Sequence, residues 1–300
     1  VMEVSSHGIV QDRINGTTFS VAVLTNLSRD HLDYHQDMDA YAAAKARLFF
    51  WPELKYAVIN MDDVLGVELS RQLANKTTKI MGYGFRYPEA GCYSPHFKML
   101  YGSNLKADIE GIEFDIDYED YHEHLRIGLL GKFNASNLLA VIAILIASGI
   151  KLSDAVRALQ HVQPIPGRME KYGGINQPII IVDYAHTPNA LEKVLCTLRE
   201  ILRATHQSKE KVAHNARLHC VVGCGGDRDK GKRAMVGAVA TRLADAVIFT
   251  SDNPRSEEPM NIIKDIVEGV EAENYQIEID RALAIYQAID NADSGDIVLI

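Results

Sequence analysis

Short runs of β-branched and other apolar residues recur along this chain, each followed by a polar or glycine-rich turn and then a helix-period stretch. The first series begins with a strand at 19–24, the loop TNLSRDHLDYHQD and a helix over 37–50. A strand at 56–60 ends in the turn Asn60-Met61-Asp62-Asp63, and a helix over 64–74 and a strand at 79–83 follow. Strand, helix and strand in succession require a crossover, so the sheet must be open and mostly parallel. Alternation in GIEFDIDYED and LRIGLL predicts a small antiparallel excursion within 85–130. A helix over 134–148 is stopped by Gly149, and Ser153 is placed to cap the next helix, to about Val162. A second series then starts: the strand in PIIIVDYAHTP, a helix over 190–203, a strand at 218–222, a glycine-rich loop, a helix over 233–244 and the strand AVIFTSD. The fold class is therefore α/β, in two domains, 1–165 and 166–300, with Gln163-Pro164-Ile165-Pro166-Gly167 as the linker.

Composition narrows the function classes. A formal net charge of -9 disfavours a broad nucleic-acid surface, which needs clustered excess Lys and Arg. The apolar run 138–150 is 13 residues long, against about 20 for a membrane span, so it reads as a buried helix and no membrane insertion is expected. Cys92, Cys196, Cys220 and Cys224 include no CxxC pair and read as reduced structural thiols, which suits the cytoplasm. A zinc site at Cys220 and Cys224 is a minor alternative. The opening VMEVSSHG lacks the features of a signal peptide, and the chain closes on an apolar strand at 296–300; both ends read as cut.

Ligands of open α/β sheets bind beyond the carboxyl ends of strands, which directs attention to five polar stretches. Apolar residues of the 37–50 helix fall at 38, 41, 42, 48 and 49, and Lys45 occupies the missing place on that stripe. An inward lysine loses basicity, and a neutral amine can take up CO2 to become an anionic carbamate able to ligate a metal; a stem that packs while the head reaches water is the simpler reading. Arg29-Asp30-His31-Leu32-Asp33-Tyr34-His35 could bind a divalent ion or could be a solvated capping loop. Gly223 to Arg233 places a glycine turn and four basic residues, Arg228, Lys230, Lys232 and Arg233, between a strand and a helix, an arrangement that holds anions on backbone N–H groups. Arg233 stands where a phosphate loop needs Ser or Thr, so a nucleotide P-loop is rejected there. In Ser251-Asp252-Asn253-Pro254-Arg255, proline fixes a turn and Arg255 offers a planar fork for a carboxylate. Arg168 at the linker, Asp183 and His186 after the next strand, and Glu3 with Ser5 and His7 complete the polar set.

Taken together, MEVSSHG, TNLSRDHLDYH, AAK, GKFNASN, GRME, VDYAHTP, GCGGDRDKGKR and DNPR, in this order over nearly the whole chain, resemble the Mur ligase family. The resemblance implies a central ATPase-type domain with a mostly parallel sheet and a Rossmann-like α/β C-terminal domain, both truncated. It implies an ATP-dependent, ADP-producing amide ligase of cell-wall synthesis, in the branch that joins meso-diaminopimelate to a UDP-N-acetylmuramoyl dipeptide through an acyl phosphate. Within that likeness, Glu3, His31 and a carbamylated Lys45 match positions that hold Mg2+. Ser5, Gln11 and Arg13 match contacts to the UDP-substrate, and Asn134 and Asn137 lie near the adenine of ATP. Arg168 and Asp183 match groups that touch ATP phosphates and ribose, with Lys45 and Arg168 as the catalytic pair. Arg228 and the turn Asp252-Asn253-Pro254-Arg255 match the diaminopimelate pocket. The family's P-loop and N-terminal uridine-binding domain have no counterpart before Glu3, and its Gly-Lys-Gly-His-Glu string has none, so the chain as it stands is expected to be inactive alone. Competing expectations are a relative using lysine or a folate glutamate chain, a metal-dependent hydrolase built on His31, Asp33 and His35, and a non-catalytic binding module.

Overall fold

Two six-stranded sheets, each in its own unit, organise the chain. A computed structural model describes residues 1–27, 32–87, 96–208 and 216–300. The first unit comprises Val1–Lys106, Ile112–Gly128 and Lys132–Val162; the second comprises Gln163–Ile300 with the short segments Ala107–Gly111 and Leu129–Gly131.

The first unit contains α1 (Ser6–Val10), β1 (Val21–Leu24), α2 (Leu32–His35), α3 (Met38–Ala46) with a 3-10 turn at Arg47–Phe50, β2 (Tyr56–Asn60), α4 (Val64–Gln72), β3 (Lys79–Gly84), β4 (Phe97–Asp108), β5 (Gly111–Tyr118), β6 (Tyr121–Ile127), α5 (Lys132–Ala147) and α6 (Leu152–Leu159). Strand order equals chain order, β1 to β6, with β1 through β4 parallel and β5 antiparallel to β6. The antiparallel excursion therefore extends the same sheet. Ala57 and Ile59 of β2 point to a core shared with Phe49, Leu65, Leu69 and Leu73, while α5 lies against β2 and β3. Alternation in a strand covered on both faces explains its unbroken apolar run.

Capping decides where helices start. Asp37 accepts from the Ala40 N–H at 2.8 Å and Asp63 from the Leu65 N–H at 2.9 Å. Ser153 does not cap α6: Lys151 precedes the helix without a side-chain bond, and Ser153 lies inside the first turn. Burial of Leu152 at 5% exposure sets that start instead. After α5, Gly149 takes φ +89° and the Ile150 N–H donates to the Leu145 carbonyl at 3.0 Å, the left-handed stop that glycine permits.

The second unit contains β7 (Glu170–Gly173), β8 (Ile179–Val182), α7 (Pro188–Ser208), β9 (Leu218–Val222), α8 (Gly231–Leu243), β10 (Ala246–Phe249), α9 (Pro259–Val267), β11 (Tyr275–Ile277), α10 (Arg281–Asp290) and β12 (Ile297–Leu299). Its order is β11-β10-β9-β12-β8-β7, parallel except where β7 meets β8. Cys220, Val247, Phe249, Ile297 and Leu299 face the core of α7, α8 and α9, whereas Val221, Ile248 and Val298 face Ala284 and Ala288 of α10. Helices on both faces make it doubly wound, and β12 enters between β8 and β9, so the strand order reverses there. Crevices at such reversals receive ligands beyond the carboxyl ends of the strands. Among the described residues no helix is long and apolar enough to cross a membrane.

Candidate active site

In the first unit the loop after β1 is held by side chains at the end of β2 and just beyond it. Asn60 donates to the Thr25 carbonyl at 2.6 Å, and Asp63 accepts from the Leu27 N–H at 2.8 Å while capping α4. Asp62 accepts from the Phe85 and Arg86 N–H groups, each at 2.8 Å, and the Tyr83 hydroxyl donates to the Leu24 carbonyl at 2.9 Å. Burial, reinforced by the charges of Asp62 and Asp63, pushes the Tyr83 hydroxyl up, so it stays a neutral donor. These four residues tie the ends of β1, β2 and β3 together. By sequence alone Asn60 to Asp63 is a plain turn; the signal for more was an Asn and two Asp directly after a buried strand.

Residues 28–31, including Arg29, Asp30 and the expected metal ligand His31, lie outside the described residues, as does Cys92. Beyond them, α1, α2 and α3 gather an aromatic and imidazole cluster. His35 is buried, its Nε2 is 2.8 Å from the Ser6 hydroxyl, and its ring stacks on Tyr41 at 5.1 Å. That engagement makes His35 a packing residue and weakens a hydrolase built on His31, Asp33 and His35. Among the described residues, no group of three or more His, Cys, Asp or Glu stands together to hold a metal. Lys45 is half-buried with its ammonium 5.1 Å from the Tyr41 ring centroid, a cation–π contact. Glu3 is exposed ahead of α1. The Ser5 hydroxyl caps α1 through the Gly8 N–H at 3.0 Å, Gln11 donates to the Tyr34 hydroxyl at 3.4 Å, and Arg13 is exposed. On α5, Asn134 and Asn137 share one face, joined by a 3.2 Å bond.

In the second unit the expected residues line the carboxyl edge of the sheet. After β8, Asp183 accepts from the N–H groups of Met169 and Ala185, each at 2.9 Å, which places Arg168 beside it. The Arg168 guanidinium lies 5.3 Å from the centroid of the Tyr184 ring, and His186 meets the same ring edge-on at 5.2 Å. Tyr184, 65% exposed, is thus a flat platform that the motifs alone do not reveal. Glu170 accepts from Tyr172 at 2.6 Å and from the Gly167 N–H at 2.9 Å; these bonds hold its carboxyl below the usual range.

The loops after β9 and β10 are locked together. The Gly226 N–H donates to the Asn253 carbonyl at 2.8 Å, the Asp227 N–H to Glu257 at 2.6 Å, and the Gly231 N–H to Asp229 at 3.0 Å. These three donors are engaged within the protein and are not open to an anion. The four basic residues are also not a set. Arg233 is 1% exposed, makes a bidentate pair with Glu257 at 2.6 and 2.9 Å and reaches Asp265 at 2.8 Å. Lys230 pairs with Glu257 at 3.4 Å and Lys232 with Asp229 at 3.9 Å. Arg228 remains, exposed and without a hydrogen bond or ion pair among the described residues.

Arg255 donates through Nη1 to the Gly226 carbonyl. A Cβ built on Gly225 would meet Arg255 Nη1 at 3.0 Å and Arg228 Cγ at 3.8 Å, so both arginines border that glycine. Asp227 and Arg255 both adopt left-handed backbone, φ +52° and +49°, and the Ser256 hydroxyl donates to Asp227 at 2.7 Å. Such conformations in non-glycine residues persist where the surroundings dictate them, often at ligand sites. The glycines serve close approach: a Cβ on Gly226 would overlap the Pro254 carbonyl, and one on Gly223 the Thr250 carbonyl. We expect Gly226→Ala to destabilise the second unit by about 2 kcal/mol in a urea melt, because the β10 loop must move away. Of the thiols beside this loop, Cys220 is buried in the core with α7, α8 and α9, and burial pushes Cys220 up to about 12 and Cys224 up to about 11.

Comparison with known proteins agrees with this architecture. Residues 1–145 match the Mur ligase middle domain and residues 167–300 the Mur ligase, glutamate ligase domain. A UDP-N-acetylmuramoyl-L-alanyl-D-glutamate–2,6-diaminopimelate ligase of Nitrosomonas europaea is 57% identical over 301 residues, covering 100% of this chain and 58% of that protein. One of the same name from Chromobacterium violaceum is 46% identical, again over 100% of this chain and 57% of the relative. A solved structure of a ligase of that name superposes with a TM-score of 0.64 at 37% identity, over 99% of this chain and 57% of the other. The chain thus spans somewhat more than half the length of the relatives it matches. With both units matched by that family's domains and identity sustained from end to end, this chain belongs to the Mur ligase family.

Proposed function

We propose that this chain takes part in ATP-dependent addition of meso-2,6-diaminopimelate to UDP-N-acetylmuramoyl-L-alanyl-D-glutamate, a cytoplasmic step of peptidoglycan precursor synthesis. The dipeptide's terminal carboxylate attacks the γ-phosphorus of ATP, ADP leaves, and an acyl phosphate forms. The diaminopimelate amine then attacks the acyl carbon; the tetrahedral intermediate collapses with loss of phosphate, and the amine gives up its proton. Catalysis of this kind consists of positioning and charge neutralisation. The observation that carries the reading is the pair of arginines, Arg228 and Arg255, both bordering Gly225 at the carboxyl edge of the second sheet. Diaminopimelate differs from lysine by a distal carboxylate, and a guanidinium fork suits that group.

The remaining roles follow from the likeness of these motifs to the family. Asp252, Asn253 and Pro254 fix the turn that presents Arg255. Arg168, stacked on Tyr184, and Asp183 are assigned to the phosphates and ribose of ATP, and Asn134 and Asn137 to its adenine. Ser5, Gln11 and Arg13 are assigned to the UDP-substrate. Mg2+, when bound, neutralises phosphoryl oxygens, and Glu3, His31 and Lys45 are the residues assigned to it. The donor set fits under one condition: an ammonium cannot ligate a cation, whereas the Lys45 carbamate offers the oxygens that Mg2+ prefers.

The test is acceptor choice. In an ADP-release assay on the full-length enzyme, Arg255→Ala should lower kcat/KM for meso-diaminopimelate about 30-fold, as expected for one charged hydrogen-bonding group, while turnover with L-lysine changes little. An unchanged preference assigns the acceptor elsewhere. Metal-dependent hydrolysis by the full-length enzyme without ATP and without ADP release favours the hydrolase.

A further inference from the structure

The exposed face of the β5–β6 hairpin carries a constellation that the ligase reading does not use. Along β6, Leu125 and Ile127 are buried, whereas His122, His124 and Arg126 are exposed. Register pairs Asp117 with His122, Asp115 with His124 and Glu113 with Arg126. The two imidazoles, one residue apart, stand on one face about 7 Å apart at their backbones. Each has its Nδ1 2.8 Å from the cross-strand carboxylate, His122 on Asp117 and His124 on Asp115. Asp115 is itself oriented by the Asn104 amide at 2.7 Å.

We propose that His122 and His124 chelate a borderline transition-metal dication, Zn2+, Ni2+ or Cu2+, through their Nε2 atoms. A neutral imidazole that donates Nδ1–H to a carboxylate presents a lone pair at Nε2, and carboxylate–histidine pairing of this kind orients metal ligands and raises their basicity. Both side chains are more than half exposed, 62% and 55%, so a hydrated ion can reach them. Neither ring has another hydrogen bond or ion pair among the described residues. Imidazole pairs select Zn2+, Ni2+ and Cu2+ over Mg2+, which separates this site from the magnesium site assigned above. With two protein ligands, water completes the coordination.

The test is calorimetric titration of the chain with NiCl2 and ZnCl2 at pH 8, with MgCl2 as comparison. The chain has 11 histidines, so substitutions are needed to locate the site. His122→Ala and His124→Ala should each weaken the tightest site at least about tenfold, and the double variant should remove it; Asp115→Asn and Asp117→Asn should weaken it about tenfold with stoichiometry kept. Added Ni2+ should raise the Tm of the parent chain and not that of the double variant. Wild-type affinity in the double variant, or full affinity in both single variants, overturns the chelate. Unchanged affinity in both Asp variants overturns the part given to the carboxylates.

Discussion

In the full-length enzyme, Lys45→Ala should lower kcat about 10³-fold, the scale on which a lost charge-stabilising group acts on phosphoryl chemistry. Lys45 is half-buried over Tyr41 on the helix that follows the β1 loop. If its amine is carbamylated, it supplies a carboxylate-like anion that alanine cannot. A high concentration of acetate should then restore part of the Lys45→Ala activity, because a free carboxylate can occupy the vacated space. Lys45→Arg keeps the positive charge, takes up no CO2, and should stay inactive without rescue. Thermal melting checks that the fold survives. An active Lys45→Arg enzyme would discard the carbamate and reduce Lys45 to a residue that packs on Tyr41.

The second large effect concerns Arg233, which the sequence placed among ligand-binding cations. Arg233→Met should destabilise the second unit by about 3 kcal/mol, the low end for breaking a buried pair, since Glu257 keeps Lys230. Glu257 adds a pH signature. The Arg233 guanidinium, aided by the Asp227 N–H, lowers its carboxyl from the ordinary 4.5 to about 2. A carboxyl depressed by folding stabilises the protein above its ordinary value, and that contribution disappears as pH falls from 4.5 towards 2. Urea melts should show a drop in stability across that window for the parent chain and a shallower one for Arg233→Met. Equal slopes would separate Glu257 from Arg233.

Much of the architecture was legible because it depends on local pattern. Runs such as Tyr56–Asn60 and Leu218–Val222 form strands at their expected limits, since a strand covered on both faces is mostly apolar, its buried polar members Asn60 and His219 being hydrogen-bonded. Helix bounds were less secure: Ser153 had capping chemistry, yet burial of Leu152 set the start of α6. The motifs also named the stretches that meet at strand ends, because the connectivity of a parallel sheet delivers them to one edge.

Residue types and spacing determined the α/β class and the identity of Arg168, Asp183, Arg228 and Arg255 as residues to watch, and the resemblance of the motif strings pointed to the family. Tertiary structure decided which charges are available. Arg228 and Arg233 share one basic string, but Arg233 turns inward to Glu257 and Asp265 while Arg228 stays free among the described residues. It likewise decided that the loop glycines admit the Pro254 and Thr250 carbonyls, and that Asn60, Asp62, Asp63 and Tyr83 brace three strand ends. The reason is physical: periodicity and capping act over a few residues, whereas pairing of a charge or a backbone N–H depends on partners 20 to 60 positions away, which folding alone brings within 3 Å.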